Sequence, residues 1–282
     1  MAEDKHVIST LGKAEVVIEN GKITSIGEPK IDYCPIYKDI DNVDEITKDY
    51  IEMNINRRIE EFGMCTSKRA IKMGDMMTFG ISETLETNLE LGAIDCVVGA
   101  CEGVGTVLMT DPDTVQGVGG RVSGLVSTTP LPEVAEKLGR ENVLNPETAE
   151  LNQLEGVKKA IKKGYKNIAV TIIPSPMVKE IRELETPDDV NIYIFVAHTT
   201  GASKEEVVEL FENADVITAC ASSEILDYAD KVKPYYSGKK VPLFAATEKG
   251  REFLDNRLEA IGKPLTVKDY PLDRSNKPNP LV

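Results

Sequence analysis

The chain has 282 residues, 41% of them hydrophobic and 28% charged, enough to bury a sizeable core as one long domain or two modest ones. Its formal net charge is −14, from 33 Lys and Arg against 47 Asp and Glu, which opposes non-specific binding to nucleic acid or to an anionic membrane surface. No apolar run approaches the roughly 20 residues of a membrane span, and the opening MAEDKHVIST has no apolar signal core, so a cytoplasmic protein is expected.

Residues 1–79 read as a small α+β portion, a β-hairpin followed by a helix. The hairpin pairs Ala14–Ile18 with Lys22–Ile26 around Asn20-Gly21, the dipeptide best suited to two positive φ angles. Pro35 keeps Cys34 out of a regular helix. A helix is expected from about Val43 to Phe62, capped by Asp44 and ended by Gly63. Ile46, Tyr50, Met53, Ile55 and Ile59 give it an apolar side, which Asn54, Asn56, Arg57 and Arg58 interrupt. Met64-Cys65-Thr66 follows the stop, and Met73, Met76 and Met77 read as gap-filling core.

Residues 80–263 read as an α/β body. Ser82 caps a short helix, Glu83–Leu91. A buried strand, Ile94–Ala100, then breaks into the glycine-rich turn Cys101-Glu102-Gly103-Val104-Gly105-Thr106. Val107-Leu108-Met109 is a further apolar run, and a second glycine cluster spans Gly117–Gly124. Helices open at Pro132 and Pro146, the second running Glu147–Lys163. Strands Asn167–Ile173, Asn191–Ala197, Asp215–Ala219 and Val241–Ala246 alternate with helices, one of them opened by a Ser203/Glu206 capping box. Thr247 caps the last helix, and Gly262 ends it. Residues 264–282 read as an extended tail. The alternation predicts an α/β fold: a mostly parallel sheet with helices on both faces and right-handed crossovers.

In a parallel sheet the strand ends share one edge, where open α/β folds bind ligands. Those ends are Cys101-Glu102-Gly103, Pro174-Ser175-Pro176, His198-Thr199-Thr200, Cys220-Ala221-Ser222-Ser223 and Ala246-Thr247-Glu248. His198 is a candidate general acid, base or ligand, and Glu102, beside a thiol and two glycines, is placed to position a proton. Backbone amides at Gly103, Gly105, Gly119 and Gly120, with Ser123 and the guanidinium of Arg121, are the elements of a phosphate or carboxylate site. A flexible surface turn accounts equally well for the second glycine cluster.

The five cysteines are an odd number in a chain without a secretion signal, so structural disulfides are not expected. No CxxC pair is present. Cys96, inside a strand, reads as core. Cys34, Cys65, Cys101 and Cys220 fall at loops or element ends and form the candidate set for an iron–sulfur cluster or another metal. Cys101 with Cys220 as a redox dithiol is a smaller alternative. The Walker loop, the Gly-x-Ser-x-Gly elbow and a complete dinucleotide fingerprint are absent.

Taken together, Cys34-Pro35-Ile36 with Lys38-Asp39, Phe62-Gly63-Met64-Cys65-Thr66, Asp95-Cys96-Val97-Val98, Cys101-Glu102-Gly103-Val104-Gly105-Thr106 and Ala219-Cys220-Ala221-Ser222 resemble methanogenesis marker protein 8 over nearly the whole chain. That resemblance implies an archaeal accessory protein that assists maturation, activation or assembly of methyl-coenzyme M reductase, with that enzyme or its maturation proteins as partners. It assigns no residue a role. Gly80–Ile173 also resembles, at the level of fold, the beta subunit of hydrogenases that reduce the deazaflavin coenzyme, a family that binds flavin and an iron–sulfur cluster. This chain lacks that family's ferredoxin-like cysteine runs. Two other expectations stand beside the accessory role: an enzyme acting on an anionic small molecule at the strand-end cleft, and a non-catalytic assembly subunit.

Overall fold

A computed structural model describes residues 4–122, 124–186, 189–264 and 269–282. The N-terminal portion holds β1 (Lys5–Ser9), β2 (Glu15–Glu19), β3 (Lys22–Ile26), α1 (Pro35–Asp41) and α2 (Lys48–Phe62). Next come α3 (Ile81–Glu90), β4 (Cys96–Cys101), β5 (Gly105–Met109), α4 (Pro112–Gly119), β6 (Leu125–Thr128) and α5 (Pro132–Leu138). The chain continues through α6 (Gln153–Lys162), β7 (Asn167–Ile172), α7 (Met177–Arg182), β8 (Asn191–Val196) and α8 (Lys204–Asn213). It closes with β9 (Val216–Thr218), α9 (Ser223–Val232), β10 (Tyr235–Ser237), β11 (Leu243–Ala245) and α10 (Glu248–Ala260).

The expected hairpin forms as β2–β3, with Asn20 and Gly21 both at positive φ. The helix expected from Val43 divides into α1 and α2. Thr47, not Asp44, caps α2 by accepting from the Tyr50 amide, and Gly63 ends it at φ 73°. The helix expected from Glu147 begins only at Gln153, where the Asn152 side chain supplies the cap.

The larger sheet has seven strands in the order β10-β11-β9-β8-β7-β4-β5. The pairs β4–β7, β7–β8 and β8–β9 are parallel, whereas β4–β5, β9–β11 and β10–β11 are antiparallel. The sheet is therefore mixed, a parallel centre with antiparallel borders, and not mostly parallel. The sequence spacing hides this. Three residues, Glu102–Val104, join β4 to β5, too few for a crossover, so β5 turns back as a hairpin. Because β11 runs against β9, Ala246-Thr247-Glu248 lies at the opposite edge from the other strand ends. There the Thr247 hydroxyl donates to Asp215 Oδ1 at 2.7 Å.

Alternating side chains fill one core on each face of this sheet. Val98, Ile168, Val170, Ile192 and Ile194 pack with α6–α9, while Val97, Ala169, Tyr193 and Phe195 pack with α3, α4, α5 and α10. Helices on both faces, as expected, make the central strands apolar on both sides.

A second sheet, β3-β2-β1-β6, is wholly antiparallel and packs on α2 through Ile8, Val16, Ile18, Ile51 and Ile55. Its fourth strand comes from beyond residue 80, so the small sheet draws on both the N-terminal portion and the chain that follows it. The described part of the tail, 269–282, is also docked. Asn279 bridges Tyr33, Leu272 is buried, and the Val282 amide donates to the Ala221 carbonyl at 3.0 Å.

Gly105 shows what the β4–β5 turn requires. Its φ is +71°, and a Cβ there would stand 2.3 Å from the carbonyl oxygens of both Ala149 and Glu150. Gly105→Ala is expected to destabilise the protein by about 3 kcal/mol or more in denaturant unfolding. Gly92→Ala, at φ +70° but with open space around it, should cost only about 1–2 kcal/mol. Equal losses at the two positions would refute the packing argument.

Candidate functional site

A cavity of about 580 Å³ lies between the small sheet and the carboxyl ends of β4, β7, β8 and β9. This is the edge at which parallel sheets offer a crevice. Ala100, Ile173, Pro174, Ala197, His198 and Cys220 reach it from those strand ends. Thr10–Lys13 reach it from the turn between β1 and β2. The segment after residue 72 covers one side with Met76, Met77 and Phe79. The wall is mainly apolar. Among the described residues it contains Lys13, Arg58 and Arg121, and no Asp or Glu. In a chain with 47 acidic residues, this distribution defines the site.

Each cation is held by neutral partners. Arg58 Nε donates to Asn54 Oδ1 at 2.8 Å, and its Nη1 donates to the Arg121 carbonyl at 2.7 Å. Arg121 Nη2 donates to the Gly74 carbonyl at 2.7 Å, and its Nε donates to the Met73 sulfur at 3.3 Å. Lys13 Nζ donates to the Thr200 carbonyl. Burial lowers the pKa of Lys13, with Lys30 adding to the effect, and burial followed by Arg69 does the same for Arg121.

His198 follows β8 in a left-handed conformation, φ 57°, which is uncommon outside glycine and marks a conformation set by its surroundings. Its Nε2 shares a 2.8 Å hydrogen bond with the Ser9 hydroxyl at the end of β1. Burial, and then Lys13, lowers its pKa from 6.5 to about 4. The ring is thus neutral at pH 7 and bound to the small sheet.

The other residues singled out from the sequence separate into two sets. Arg121, Gly119 and Gly120 line the cavity, although Gly117 and Gly119 belong to α4 and not to an open loop. Ser123 lies outside the described residues. Glu102 is fully buried, and its Oε1 accepts from Arg69 Nε at 2.5 Å, so it serves as an internal counter-ion and does not line the cavity. Gly103 and Gly105 do not line it either. They bring the β4–β5 turn against Leu131 and the 149–150 backbone.

The four thiols are likewise divided. Cys34 and Cys220 line the cavity. Cys65 and Cys101 are buried beside the Arg69–Glu102 pair, where burial pushes both thiols well up, with Glu102 adding to it. Among the described residues no three or more His, Cys, Asp or Glu side chains gather closely enough to hold a metal ion, so this structure does not assemble the four-cysteine set. Cys96 is core, as expected, its thiol raised by burial to about 12.

Sequence reasoning missed Ser9, Lys13 and Arg58 as site residues. The interrupted apolar side of α2 was the available signal. Asn54 and Arg58 sit on that side because they face inward, only 1% and 8% exposed. Nothing local marks Ser9 or Lys13. His6, near the start of the chain, is fully buried, its Nδ1 2.6 Å from Thr128 Oγ1 and its Nε2 2.7 Å from Asp4.

Residues 6–259 match the family described as an uncharacterized protein conserved in archaea (DUF2099). A protein of Methanocaldococcus jannaschii, itself described as uncharacterized, is 40% identical over 285 residues, covering 99% of this chain and 100% of its own. No solved structure matches the chain significantly. No helix among the described residues is long and apolar enough to cross a membrane.

The depressed pKa of His198 has a consequence for stability. A group whose folded pKa lies below its unfolded value favours folding at higher pH and withdraws that support as pH falls. The window here runs from 6.5 down through about 4. Between pH 7 and pH 4 the stability advantage of wild type over His198→Asn should shrink by roughly 3 kcal/mol at most. A difference that stays constant across that range would show that the imidazole is not held neutral by the fold.

Proposed function

This chain belongs to the archaeal family DUF2099, and from that premise we propose that it binds an organic anion with a substantial apolar part in the strand-end cavity. The observation that carries the proposal is the composition of the wall among the described residues: three cationic side chains, no carboxylate, and an otherwise mainly apolar lining. Uncompensated cations in a partly desolvated site favour an anionic occupant, because burying charge without a counter-charge is costly. The apolar wall favours an occupant that also buries hydrocarbon or ring surface. Arg121 presents the geometry suited to a carboxylate, phosphate or sulfonate. His198 would offer the bound molecule a neutral imidazole on the wall.

We place this binding in methanogenesis, assisting maturation, activation or assembly of methyl-coenzyme M reductase. That setting is supported by the resemblance of the Cys34, Cys65, Cys101 and Cys220 stretches to methanogenesis marker protein 8. A metal or redox centre within this reading would draw on Cys34 and Cys220, the two thiols on the cavity wall.

The binding proposal is tested by titrating the full chain with dodecanoate in a calorimeter. Arg121→Gln should weaken the affinity by about tenfold or more, and Arg121→Lys should weaken it less. Unchanged affinity in Arg121→Gln would overturn it. The setting is tested by anaerobic co-purification with the tagged full chain. Subunits of methyl-coenzyme M reductase, or its known maturation proteins, should be enriched, and their absence would remove that part of the proposal.

A further inference from the structure

We infer that the cavity's occupant is an elongated organic dianion, with one anionic group received by Arg58 and Arg121 and the other by Lys13. The inference rests on the anion-binding reading above and adds the ligand's class.

The cations form two groups on different parts of the fold. Arg58 comes from α2 and Arg121 from the segment after α4, and a 2.7 Å hydrogen bond from Arg58 Nη1 to the Arg121 carbonyl ties them together. Lys13 comes from the turn between β1 and β2 and is fixed to the Thr200 carbonyl, next to His198 beyond β8. Their electrostatic surroundings differ accordingly. Arg121 experiences Arg69, Glu83, Arg58 and Asp75, whereas Lys13 experiences Lys30, Glu206 and Cys220.

The carboxylates nearest these cations already have partners. Glu83 accepts from the Met77 amide and from the Ser82 hydroxyl, both at 3.1 Å. Asp75 accepts from Arg257 Nη2 at 2.6 Å. Glu206 accepts from the Ser203 amide at 2.8 Å in the capping box of α8. Among the described residues, none of Lys13, Arg58 and Arg121 has a carboxylate within ion-pair distance. A monoanion seated on either group would leave the other uncompensated in the same mainly apolar cavity. Two anionic groups separated by an apolar body satisfy both ends and cover the wall between them.

The test compares dodecanedioate with dodecanoate on the full chain by calorimetry at neutral pH, where both carboxyl groups of the diacid are ionised. The expected result is at least about tenfold tighter binding of the diacid. Lys13→Gln should abolish that preference, and Lys13→Arg should restore it. Arg121→Gln should weaken both probes. Equal affinities, with Lys13→Gln silent and Arg121→Gln weakening both, would overturn the dianion while leaving the anion site standing. Failure of both probes to bind wild type would overturn both. Circular dichroism of each variant guards against loss of fold, and a misfolded Lys13→Gln leaves the wild-type comparison of the two probes decisive.

Discussion

The pairing of β1 with β6 is the constraint from which the site follows. β6 leaves the α/β body and lies antiparallel to the first strand of the chain, with His6 opposite Thr128 and Val7 opposite Ser127. That ladder holds the small sheet over the carboxyl edge of the large one. Next to it, the Ser9 amide donates to the Gly124 carbonyl at 2.6 Å, and the Ser9 hydroxyl meets His198. A Cβ at Gly124 would stand 2.7 Å from the Ser9 carbonyl and 3.0 Å from the imidazole, so the lack of a side chain there lets three segments meet. The strand-end crevice thereby gains a second wall from the small sheet.

Charge is handled differently on the two sides of this junction. Arg69 is sealed away and receives a carboxylate, Glu102, because an isolated guanidinium at that depth would be prohibitive. Arg58, Arg121 and Lys13 receive carbonyl, amide or thioether partners instead, which orient them without neutralising them. Partial contact with the cavity makes such a state tolerable. The same division separates the thiols: Cys65 and Cys101 fall on the sealed side, Cys34 and Cys220 on the cavity side.

This accounts for the uneven value of the sequence motifs. The Cys101–Thr106 turn combines a thiol, a carboxylate and two glycines, but each of these answers a packing demand of a tight antiparallel hairpin. Gly105 admits two carbonyl oxygens, Glu102 neutralises Arg69, and Cys101 fills core. The less conspicuous Lys13 and Arg58 are the residues that reach the cavity. Motif chemistry identifies what a residue is able to do, whereas exposure to a cavity decides whether it is asked to do it.

Local sequence was sufficient for much of the architecture. Alternating apolar strands, Asn20-Gly21, the Ser203/Glu206 capping box and the stop at Gly63 act over a few residues, so periodicity and turn chemistry reveal them. It was also sufficient to place His198 and Cys220 at one end of a sheet, because parallel strands share their carboxyl edge. Tertiary structure alone decided the direction of β11, the recruitment of β6 to the small sheet, and the docking of 269–282. It alone decided which side of the β4 end is sealed. The recruitment of β6 and the closing of the two sheets on each other depend on contacts between segments more than a hundred residues apart, such as Ser9 with His198 and His6 with Thr128, whose energies leave no periodic trace in the chain.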